Sequence, residues 1–504
     1  MKEVVARRML LDRIVKWIGL LINTHTQGEE KMKKRLLLIT LVCALVAACA
    51  TPTAAPTSAP ATAAPAVATA VPKPTDAPKP TDVPKPKDIV FWTQFDEKNT
   101  DPKSDSVIGN TYLRNTMPAF NKEFAGKWNW VNVQKEAAKM NPELIAAVQA
   151  KGDVPDLFQI SLDINTFVTN GAAQDLTEWA KAQSWFKDMD SSALAACTAT
   201  NGKLYCIPVS VRPQVVYVWK DHFPNGYPKT PAEFLTQAAA LKAKGVSALT
   251  YFGSTDLDGN GITRGMTTIM FSFGGRYDDG KGKMLLNTPE NIAAIEFMRE
   301  VVAKGYVTEA SFAGKFQEEI PFKSGTAGSF TTGMNGYLFL NTLTAPNGKK
   351  YAKGNQNDFL DAIASGDAYL APFSAPAGKT PGCNLASSGL IIPTGAKNLE
   401  GARNYINWIM TPQQNPNFVL QAVGGFPALK TALADSQFQT PYFQQAAKVV
   451  AASSCRPWFG TLTKPAVAQP LVMTVLYKLI KEDPKADIVA ALKKAEDQYN
   501  AEVK

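Results

Sequence analysis

The chain has 504 residues, with 53 Lys or Arg against 44 Asp or Glu, which gives a formal net charge of +9. Its 45% apolar and 19% charged residues are typical of globular domains with a sizeable core. Histidine occurs only at His25 and His222, and no GxSxG motif is present, so the composition argues against a Ser-His-Asp hydrolase.

An apolar run at residues 36–48 follows three basic residues at 33–35 and ends at Cys49. The run is shorter than the roughly 20 residues of a membrane-spanning helix, and its basic, apolar and small residues follow the order of a secretory signal. The ending VAAC resembles the lipobox of bacterial lipoproteins, which implies acylation of Cys49; an ordinary signal peptide is the alternative. We predict that residues 1–48 are an N-terminal extension and lipoprotein signal peptide, with translation starting at Met32. The protein is then lipid-anchored at the extracellular face of the membrane.

Residues 49–87 are rich in Pro, Ala and Thr and contain the unit PKPTD twice. Such a composition cannot bury a core, so we predict a disordered linker ahead of a folded part that begins near Asp88. Residues 1–48 carry a formal charge of +5 and residues 50–88 carry +1, which leaves +3 for the folded part. This nearly neutral charge gives no support for a nucleic-acid partner.

The folded part alternates short β-branched or aromatic runs with longer helical patterns. We predict strands in DIVFWTQF and DVPDLFQIS, and helices in MPAFNKEFAG, NPELIAAVQAKG, TPAEFLTQAAALKAKG, TPENIAAIEFMREVVAKG, LEGARNYINWIMTP and ADIVAALKKAEDQY. Two of these helices share start and stop signals: Thr230 and Thr288 are N-caps followed by proline, and Gly245 and Gly305 are terminators. This alternation predicts α/β units with mostly parallel sheets.

Four cysteines remain in the folded part: Cys197, Cys206, Cys383 and Cys455. Outside the cytoplasm, an even number of cysteines indicates disulfides. Cys197 and Cys206 are nearest in sequence and would close a hairpin, which leaves Cys383 with Cys455, although the sequence does not decide the pairing. Metal binding is a weaker interpretation because no CxxC spacing occurs.

Two segments carry partial ligand motifs. DLDGNG at residues 256–261 has calcium-loop spacing, but Thr267 stands where a bidentate Glu is expected, so a solvated turn is favoured. GRYDDGKG at residues 275–282 resembles a phosphate loop without its final hydroxyl, and its Asp-Gly pair predicts a hairpin turn between two short strands. We expect no metal ion and no cofactor, with calcium at the first segment left as an alternative.

Ten segments occur in order along residues 88–504: IVFWTQF, AFNKEF, VPDLFQISLD, AQDLTEW, NGKLYCIPV, VVYVWKDHF, KTPAEFLTQAAALKAKG, GGRYDDGKGKMLLNTPENIAAIEFMREVVAKGYV, FKSGTAGSF and SSGLIIPTGAKNLEGARNYINWIM. Together they resemble the extracellular solute-binding proteins of ABC importers, family 1, the maltose-binding-like group. Two positions depart from the family pattern: Trp219 replaces the usual asparagine, and Ala327-Gly328-Ser329 replaces the usual alanine-methionine. These departures concern the ligand contacts.

The resemblance implies an α/β fold of the two-lobed periplasmic-binding-protein class, type II-like, with hinge crossovers and a ligand cleft between the lobes. Lobe 1 is expected at residues 88–210 and 388–430, and lobe 2 at residues 211–387 and 431–504. The resemblance also implies a monomeric protein that is not an enzyme. Such a protein binds a carbohydrate, a di- or oligosaccharide, and delivers it to the transmembrane subunits of an ABC permease. The lipid anchor is its only expected membrane contact.

A sugar site needs polar groups for the hydroxyl rim and aromatic rings for the C–H faces. Trp92 and Gln94 end the first predicted strand, where core packing is the alternative for Trp92. Asp163 follows PDLFQIS at the family's rim-binding position, where capping the next helix is the alternative. Arg212 follows IPVSV at the first crossover, where it suits hydroxyls, a carboxylate or an interlobe ion pair.

Further candidates for the site are Tyr217, Trp219, Ser329, Ser388 and Trp458. Trp458, three residues after Cys455, is the expected stacking residue from the second lobe, and core packing is the alternative for each aromatic. Asp163 and Arg212 are the only charged candidates, which favours a neutral sugar. Alternative functions are a sensor or adhesin with the same fold, a binder of polyamines or phosphorylated polyols, and a surface glycoside hydrolase, whose carboxylate pair has no fixed spacing.

Overall fold

The computed structural model describes residues 85–102, 104, 106–160, 164–256, 261–353 and 357–503. The predicted signal peptide, Cys49, the linker up to residue 84, Asp163 and residues 257–260 of the calcium-like segment lie outside the described residues. Within the described ranges, no helix combines the length and the apolar character that crossing a membrane requires.

The N-terminal part of the fold alternates strands and helices. Its elements are β1 (Lys87–Thr93), α1 (Val107–Glu123), β2 (Trp128–Gln134), α2 (Ala137–Gln149), β3 (Leu157–Ile160), α3 (Ile164–Thr169), α4 (Thr177–Lys181), a 3-10 turn (Ser184–Asp188) and α5 (Ser191–Cys197). Strand β1 pairs in parallel with both β2 and β3. The two predicted strands therefore form, and they lie side by side.

The middle of the chain begins with a long strand that leaves the first sheet. Its elements are β4 (Ile207–Trp219), α6 (Pro231–Lys242), β5 (Ser247–Tyr251), α7 (Gly261–Ser272), α8 (Pro289–Ala303), a 3-10 turn (Glu309–Phe312), α9 (Glu319–Lys323), β6 (Ala327–Gly333), a 3-10 turn (Met334–Leu338), β7 (Leu343–Thr344), β8 (Lys350–Tyr351), α10 (Asn357–Ala364), β9 (Ala368–Ala371) and β10 (Gly382–Ile391). Strand β5 is parallel to β6, and β6 is antiparallel to β4.

The C-terminal part is mostly helical. It consists of α11 (Leu399–Ile409), α12 (Asn415–Phe418), a π-helical turn (Val419–Val423), β11 (Phe426–Pro427), 3-10 turns (Thr431–Ala434 and Ser436–Phe438), α13 (Pro441–Ala451), β12 (Ser454–Arg456), α14 (Pro465–Tyr477), a second π-helical turn (Lys478–Glu482) and α15 (Ile488–Glu502). The predicted helices in LEGARNYINWIMTP and ADIVAALKKAEDQY are α11 and α15.

One sheet connects both halves of the described chain in the strand order β2-β1-β3-β10-β4-β6-β5, with β9 and β11 on β4 and β12 on β10. The central pair, β10 and β4, is antiparallel and runs from Leu385 opposite Pro213 to Leu390 opposite Ile207. These two strands are the crossovers between the halves. The α/β fold with two lobes joined by crossover strands is confirmed.

The apolar side chains form three clusters. The cluster of lobe 1 draws on residues 89–209 and 390–432, and that of lobe 2 draws on residues 216–307, 371–373 and 459–499. The third cluster comes mainly from residues 215–370 and 419–449 and also includes Val107 and Ile108 of α1, so it connects the two lobes. Because the sheet passes without interruption from one lobe to the other, the residue bounds given above for each lobe remain a prediction.

Helices α6 and α8 begin where their sequence signals predict. The Thr230 hydroxyl accepts a hydrogen bond from the Glu233 amide at 3.2 Å, and Thr288 accepts one from Asn291 at the same distance. Each cap satisfies a backbone donor of the first turn that has no partner within the helix. Beyond the helix ends, Gly245 has a φ of 76°, which glycine adopts without steric cost.

Both disulfides have the pairing that the spacing favoured. Cys197 and Cys206 are joined with their Cα atoms 5.0 Å apart, and Cys383 and Cys455 are joined at 4.4 Å. The second bond fastens the start of β10 to β12, which pairs with it in parallel. The predicted hairpin at residues 275–282 is smaller than expected, because a single bridge joins Asp278 to Met284.

Candidate ligand-binding cleft

The register of the crossover strands leaves a gap between the end of β3 in lobe 1 and the end of β6 in lobe 2. Strand β3 of lobe 1 ends at Ile160, opposite Gly389 of β10, whose next partner is Pro208 of β4. Strand β6 of lobe 2 ends at Gly333, opposite Gln214 of β4. The carboxyl ends of the strands in both lobes therefore face each other across residues 209–213. Open α/β sheets bind their ligands at such carboxyl edges.

Arg212 lies within this gap and is 8% exposed. Its Nη2 donates to the carbonyl oxygen of Ser387 on β10 at 2.9 Å, whereas its Nε is buried with no hydrogen-bond partner in the described part of the chain. Burial, and then the neighbouring charge of Arg264, lower the pKa of the Arg212 guanidinium to about 10. A buried cation with an unused donor is well placed to bind a ligand.

Gln214 links the crossover to helix α7. Its Nε2 donates to the carbonyl oxygen of Arg264 at 3.3 Å, and its Oε1 accepts from the Thr268 hydroxyl at 2.5 Å. Around this link, three polar side-chain atoms are buried without a hydrogen-bond partner in the described residues: Ser210 Oγ, Thr331 Oγ1 and Asn384 Oδ1. Other buried atoms of this kind occur in both lobes, so these three are compatible with contact to a ligand but do not by themselves define a site.

Arg264 projects from α7 toward the carboxyl edge of lobe 2. Its guanidinium carbon lies 4.1 Å from the centre of the Phe252 ring, directly after β5, and its Nη2 donates to Thr332 Oγ1 near the end of β6 at 2.8 Å. Arg264 remains partly exposed, and loss of hydration lowers the pKa of its guanidinium. Stacking on an aromatic face while keeping free donors suits recognition of an oxygen-rich ligand.

A strained segment presents an aromatic ring beside Arg264. The backbone φ angles of Gly314, Lys315 and Phe316 are 73°, 52° and 61°. This is the left-handed conformation, which residues other than glycine rarely adopt. The Phe316 side chain is 40% exposed, and its ring meets Phe252 edge-on at 6.3 Å. Strain of this kind persists where the surrounding structure enforces it, often at ligand clamps. Phe316 is therefore a candidate stacking surface.

Glu318 follows this segment and is 2% exposed. Its Oε2 has no hydrogen-bond partner among the described residues. Burial raises the pKa of the Glu318 carboxyl to about 7, although the charge of Arg264 acts in the opposite direction. Near neutral pH the Glu318 carboxyl is therefore only partly ionised, and it offsets the charge of Arg264 incompletely.

The structure places four of the predicted contact residues in the interior. Each is fully buried and uses its polar atom for an internal hydrogen bond: Tyr217 with Gly333, Trp219 with Phe322, Ser329 with Ala248 and Ser388 with Ile160. Tyr217 and Trp219 lie in an apolar cluster of lobe 2, so core packing accounts for both rings. Each of the four already donates its polar hydrogen within the fold, and their role as contact residues stays a prediction.

The remaining predicted contact residues differ in how exposed they are. Trp92 belongs to the lobe 1 core and is 9% exposed, with Lys135 Nζ 4.0 Å from its ring centre. Gln94 directly follows β1 at its carboxyl edge and stays partly exposed, which keeps it compatible with ligand contact. Trp458 is partly buried against lobe 2, edge-on to Phe459 at 5.0 Å. Asp163 lies outside the described residues.

A cavity of about 470 Å³ lies on lobe 1, away from the crossovers. Its lining residues are Lys87, Asp88, Val90, Trp92, Asp153, Val154, Asp156, Lys397 and Asn398. The Asp156 carboxylate there is already used, because it accepts hydrogen bonds from the amides of Val90 at 2.9 Å and Asn398 at 2.7 Å. We regard this cavity as a surface depression of the lobe.

The segment with calcium-loop spacing, which begins at Asp256, contacts the strained segment at residues 314–316. Oδ2 of Asp256 accepts a hydrogen bond from the Lys315 amide at 3.1 Å. In the described ranges, no group of three or more His, Cys, Asp or Glu side chains could hold a metal ion. Because residues 257–260 lie outside those ranges, the expectation that the segment binds no calcium stays a prediction.

The sequence matches the family described as bacterial extracellular solute-binding protein over residues 115–447. The chain belongs to this family. The match covers most of both lobes, and it confirms the family resemblance that the ordered segments indicated.

Solved structures of solute-binding proteins share the fold of this family member. Maltose-bound MalE3 of Thermotoga maritima aligns with a TM-score of 0.66 at 15% identity, over 82% of this chain and 99% of that one. A solute-binding protein of Agrobacterium radiobacter K84 in complex with ribitol aligns at 0.65 and 17%, over 83% and 99%. The maltotriose-bound maltotriose-binding protein of Thermus thermophilus aligns at 0.62 and 18%, over 82% and 100%.

Sequence reasoning missed four further candidate residues for the cleft of this solute-binding protein: Phe252, Arg264, Phe316 and Glu318. One signal was available for Arg264, which is the single charged residue of the otherwise uncharged helix segment GITRGMTTIMFS. A lone charge on a buried helix needs a partner or a ligand. The other three residues carried no such pattern in the sequence.

Proposed function

We propose that this protein is the lipid-anchored, extracellular substrate-binding component of an ABC importer, and that it binds a carbohydrate between its lobes. One observation carries the proposal: the carboxyl edges of both lobes meet at a buried polar site on β4, where Arg212 and Gln214 lie. The three structurally similar proteins described above were solved with maltose, ribitol and maltotriose, which are ligands rich in hydroxyl groups. The polar atoms of the site suit such ligands.

In this proposal, transport depends on closure of the two lobes about the hinge formed by the crossover strands. A ligand that contacts both lobes stabilises the closed arrangement, because its contacts with both lobes are made only when the lobes are together. The closed form then presents a surface that the permease recognises, and the cargo passes to the transmembrane subunits. The protein acts as a monomer in this scheme and performs no chemical step on its ligand.

A thermal-melt screen tests the proposal. Purified protein is heated with mono-, di- and oligosaccharides, with polyamines and with phosphorylated polyols. A ligand at a hundred times its dissociation constant adds about 2.7 kcal/mol to the free energy of unfolding and raises the melting temperature. A rise with saccharides supports the proposal. A rise with polyamines alone, or sugar release from a polysaccharide incubated with the protein, would contradict it.

Anchoring at Cys49 has a separate test. In cells that process lipoproteins, the protein is expected in the membrane fraction, because two or more acyl chains anchor a protein stably. The Cys49→Ala variant is expected in the soluble fraction, and Cys43→Ala is its control, since Cys43 lies within the predicted signal peptide. Equal membrane association of Cys49→Ala and the unmodified protein would exclude lipid attachment at this position.

A further inference from the structure

The cleft contains two arginines on adjoining elements and no carboxylate bonded to either within the described residues. Arg212 hydrogen-bonds to the Ser387 carbonyl oxygen, and Arg264 to the Thr332 hydroxyl and the Phe252 ring face. Neither arginine makes an ion pair among the described residues. Both partners are neutral, so the guanidinium charges remain to be compensated.

The arrangement has an electrostatic cost without an anion. The charge of Arg264 acts on Arg212 with like sign, and both guanidinium groups have lost much of their hydration. Buried charges are normally paired, because the desolvation cost of an unpaired ion is several kcal/mol. A site for a neutral sugar could use amides and hydroxyls for the same hydrogen bonds and avoid that cost. The presence of two guanidinium groups therefore indicates a ligand that brings negative charge.

Two carboxylates attract Arg264, those of Glu319 and Glu318, and Glu318 is a poor counter-charge. It acts on Arg264 only at a distance, since it makes no ion pair, and its carboxyl is partly protonated near pH 7. Glu319, in the first turn of α9, attracts Arg264 more strongly than Glu318 does, but it acts on the same arginine and leaves Arg212 uncompensated. Among the described residues of the cleft, the positive charge of Arg212 thus has no counter-charge.

We propose that the cleft binds a saccharide that carries an acidic group, a carboxylate or a phosphate ester, and that Arg212 and Arg264 bind this group. The planar guanidinium fork matches the paired oxygens of both anions. Phe316, whose side chain is 40% exposed, then faces the apolar side of the sugar ring, while Phe252 supports the Arg264 guanidinium. The inference rests on the proposed carbohydrate function and revises the neutral sugar favoured by the sequence, because Arg264 joins Arg212 only in the fold.

Matched ligands test the inference on the unmodified protein. Calorimetric titration compares glucose, glucuronate and glucose 6-phosphate; galactose, galacturonate and galactose 6-phosphate; and maltose with its C6-oxidised uronate. The acidic member of at least one series is expected to bind about tenfold to a hundredfold more tightly than its neutral counterpart. The carboxylate and phosphate arms identify which anion the site prefers. The comparison measures the charge preference of the ligand site as a whole.

The outcomes separate the inference from the proposed function. Equal or tighter binding of the neutral sugars would overturn the inference and leave the carbohydrate receptor in place. Failure of all these sugars and of the wider saccharide screen to bind would overturn both. Weaker binding of the acidic ligands as salt is raised, with unchanged binding of any neutral ligand, supports the ionic contact.

Variants assign the contact to the two arginines. Arg212→Gln and Arg264→Gln are each expected to weaken the acidic ligand at least tenfold and to reduce the preference over its neutral counterpart. Arg403→Gln is the matched control, since Arg403 also stacks on an aromatic ring, Trp179 at 5.5 Å, but on α11 of lobe 1. An unchanged preference in both cleft variants, with melting temperatures showing that they fold, would overturn the assignment.

Discussion

At the scale of single residues, Glu318 makes stability depend on pH. Its pKa in the folded protein is about 7 against an ordinary value of 4.5, so between these values the folded state holds a proton that the unfolded state has lost. The free energy of unfolding therefore falls as pH rises from 4.5 to 7, by up to about 3 kcal/mol, and this contribution is fully present below pH 4.5. Urea unfolding at several pH values measures it.

The Glu318→Gln variant isolates this effect from the other titrating groups. Glutamine stays neutral, so the difference in unfolding free energy between the unmodified protein and the variant should change across pH 4.5 to 7 and be constant above and below. If unfolding free energy plotted against pH gives parallel curves for the unmodified protein and the variant across this range, the Glu318 carboxyl titrates normally in the folded protein.

Phe316 combines strain with exposure, and one substitution separates the two. Phe316→Gly removes the ring, which should weaken ligand binding about three- to tenfold. Glycine also relieves the left-handed backbone at a φ of 61°, which offsets the small loss of packing by an exposed ring, so the free energy of unfolding should change by less than about 1 kcal/mol. Calorimetric titration and urea unfolding measure the two effects.

The control for this variant is Val489→Ala, because Val489 is an exposed apolar residue on α15, 49% accessible. It should leave affinity unchanged. A Phe316→Gly variant that binds as tightly as the unmodified protein would remove Phe316 from the site.

Individual contact residues were the least predictable feature of the sequence. Strand β4 is buried on both faces for nearly its whole length, so alternation along it does not tell residues that face the cleft from those that face the core. Tyr217 and Trp219 were proposed as contacts for their chemistry, yet both lie in the core. Arg212 stands out because its charge cannot remain unpaired in such a strand, and this signal does not depend on the register.

At the scale of elements, local signals predicted helices well and weak strands poorly. Helices α6 and α8 start at Thr230 and Thr288 because the hydroxyl caps and the following prolines act within one turn. The hairpin near residue 280 has the expected turn, with Gly280 at a φ of 77°, but its flanking segments form only one bridge. Strand pairing depends on distant partners, which an Asp-Gly pair does not specify.

The two disulfides should differ in their contribution to stability. Cys383 and Cys455 are 72 residues apart in sequence, whereas Cys197 and Cys206 are 9 apart. In the chain-entropy description, closing the longer loop restricts the unfolded chain more, and the difference is about 2 kcal/mol. The double variant Cys383→Ala/Cys455→Ala should therefore lose more unfolding free energy than Cys197→Ala/Cys206→Ala. Equal losses in urea unfolding would show that native contacts outweigh loop entropy.

At the scale of the whole molecule, the order of elements predicted two lobes, but it did not predict the cleft. The cleft is expected because β3 stops opposite Gly389 and β6 stops opposite Gln214, which leaves residues 209–213 of β4 between the ends of these two strands. That register results from packing of both lobes along two long crossover strands. It also explains why Arg264 is near Arg212 although the two are 52 positions apart in sequence.

Ligand binding should protect the contact between the lobes from hydrogen exchange. Helix α3 of lobe 1 touches helix α14 of lobe 2, so the amides of both helices become more protected when the closed form is favoured. Helix α11 packs on β1 within lobe 1 and provides the internal control, since its exchange by local opening should not respond to closure. Arg212→Gln at the same ligand concentration should lose most of the added protection. If α11 slows as much as α3 and α14, the ligand stabilises the whole fold without closing the hinge, because global unfolding then sets exchange in all three helices.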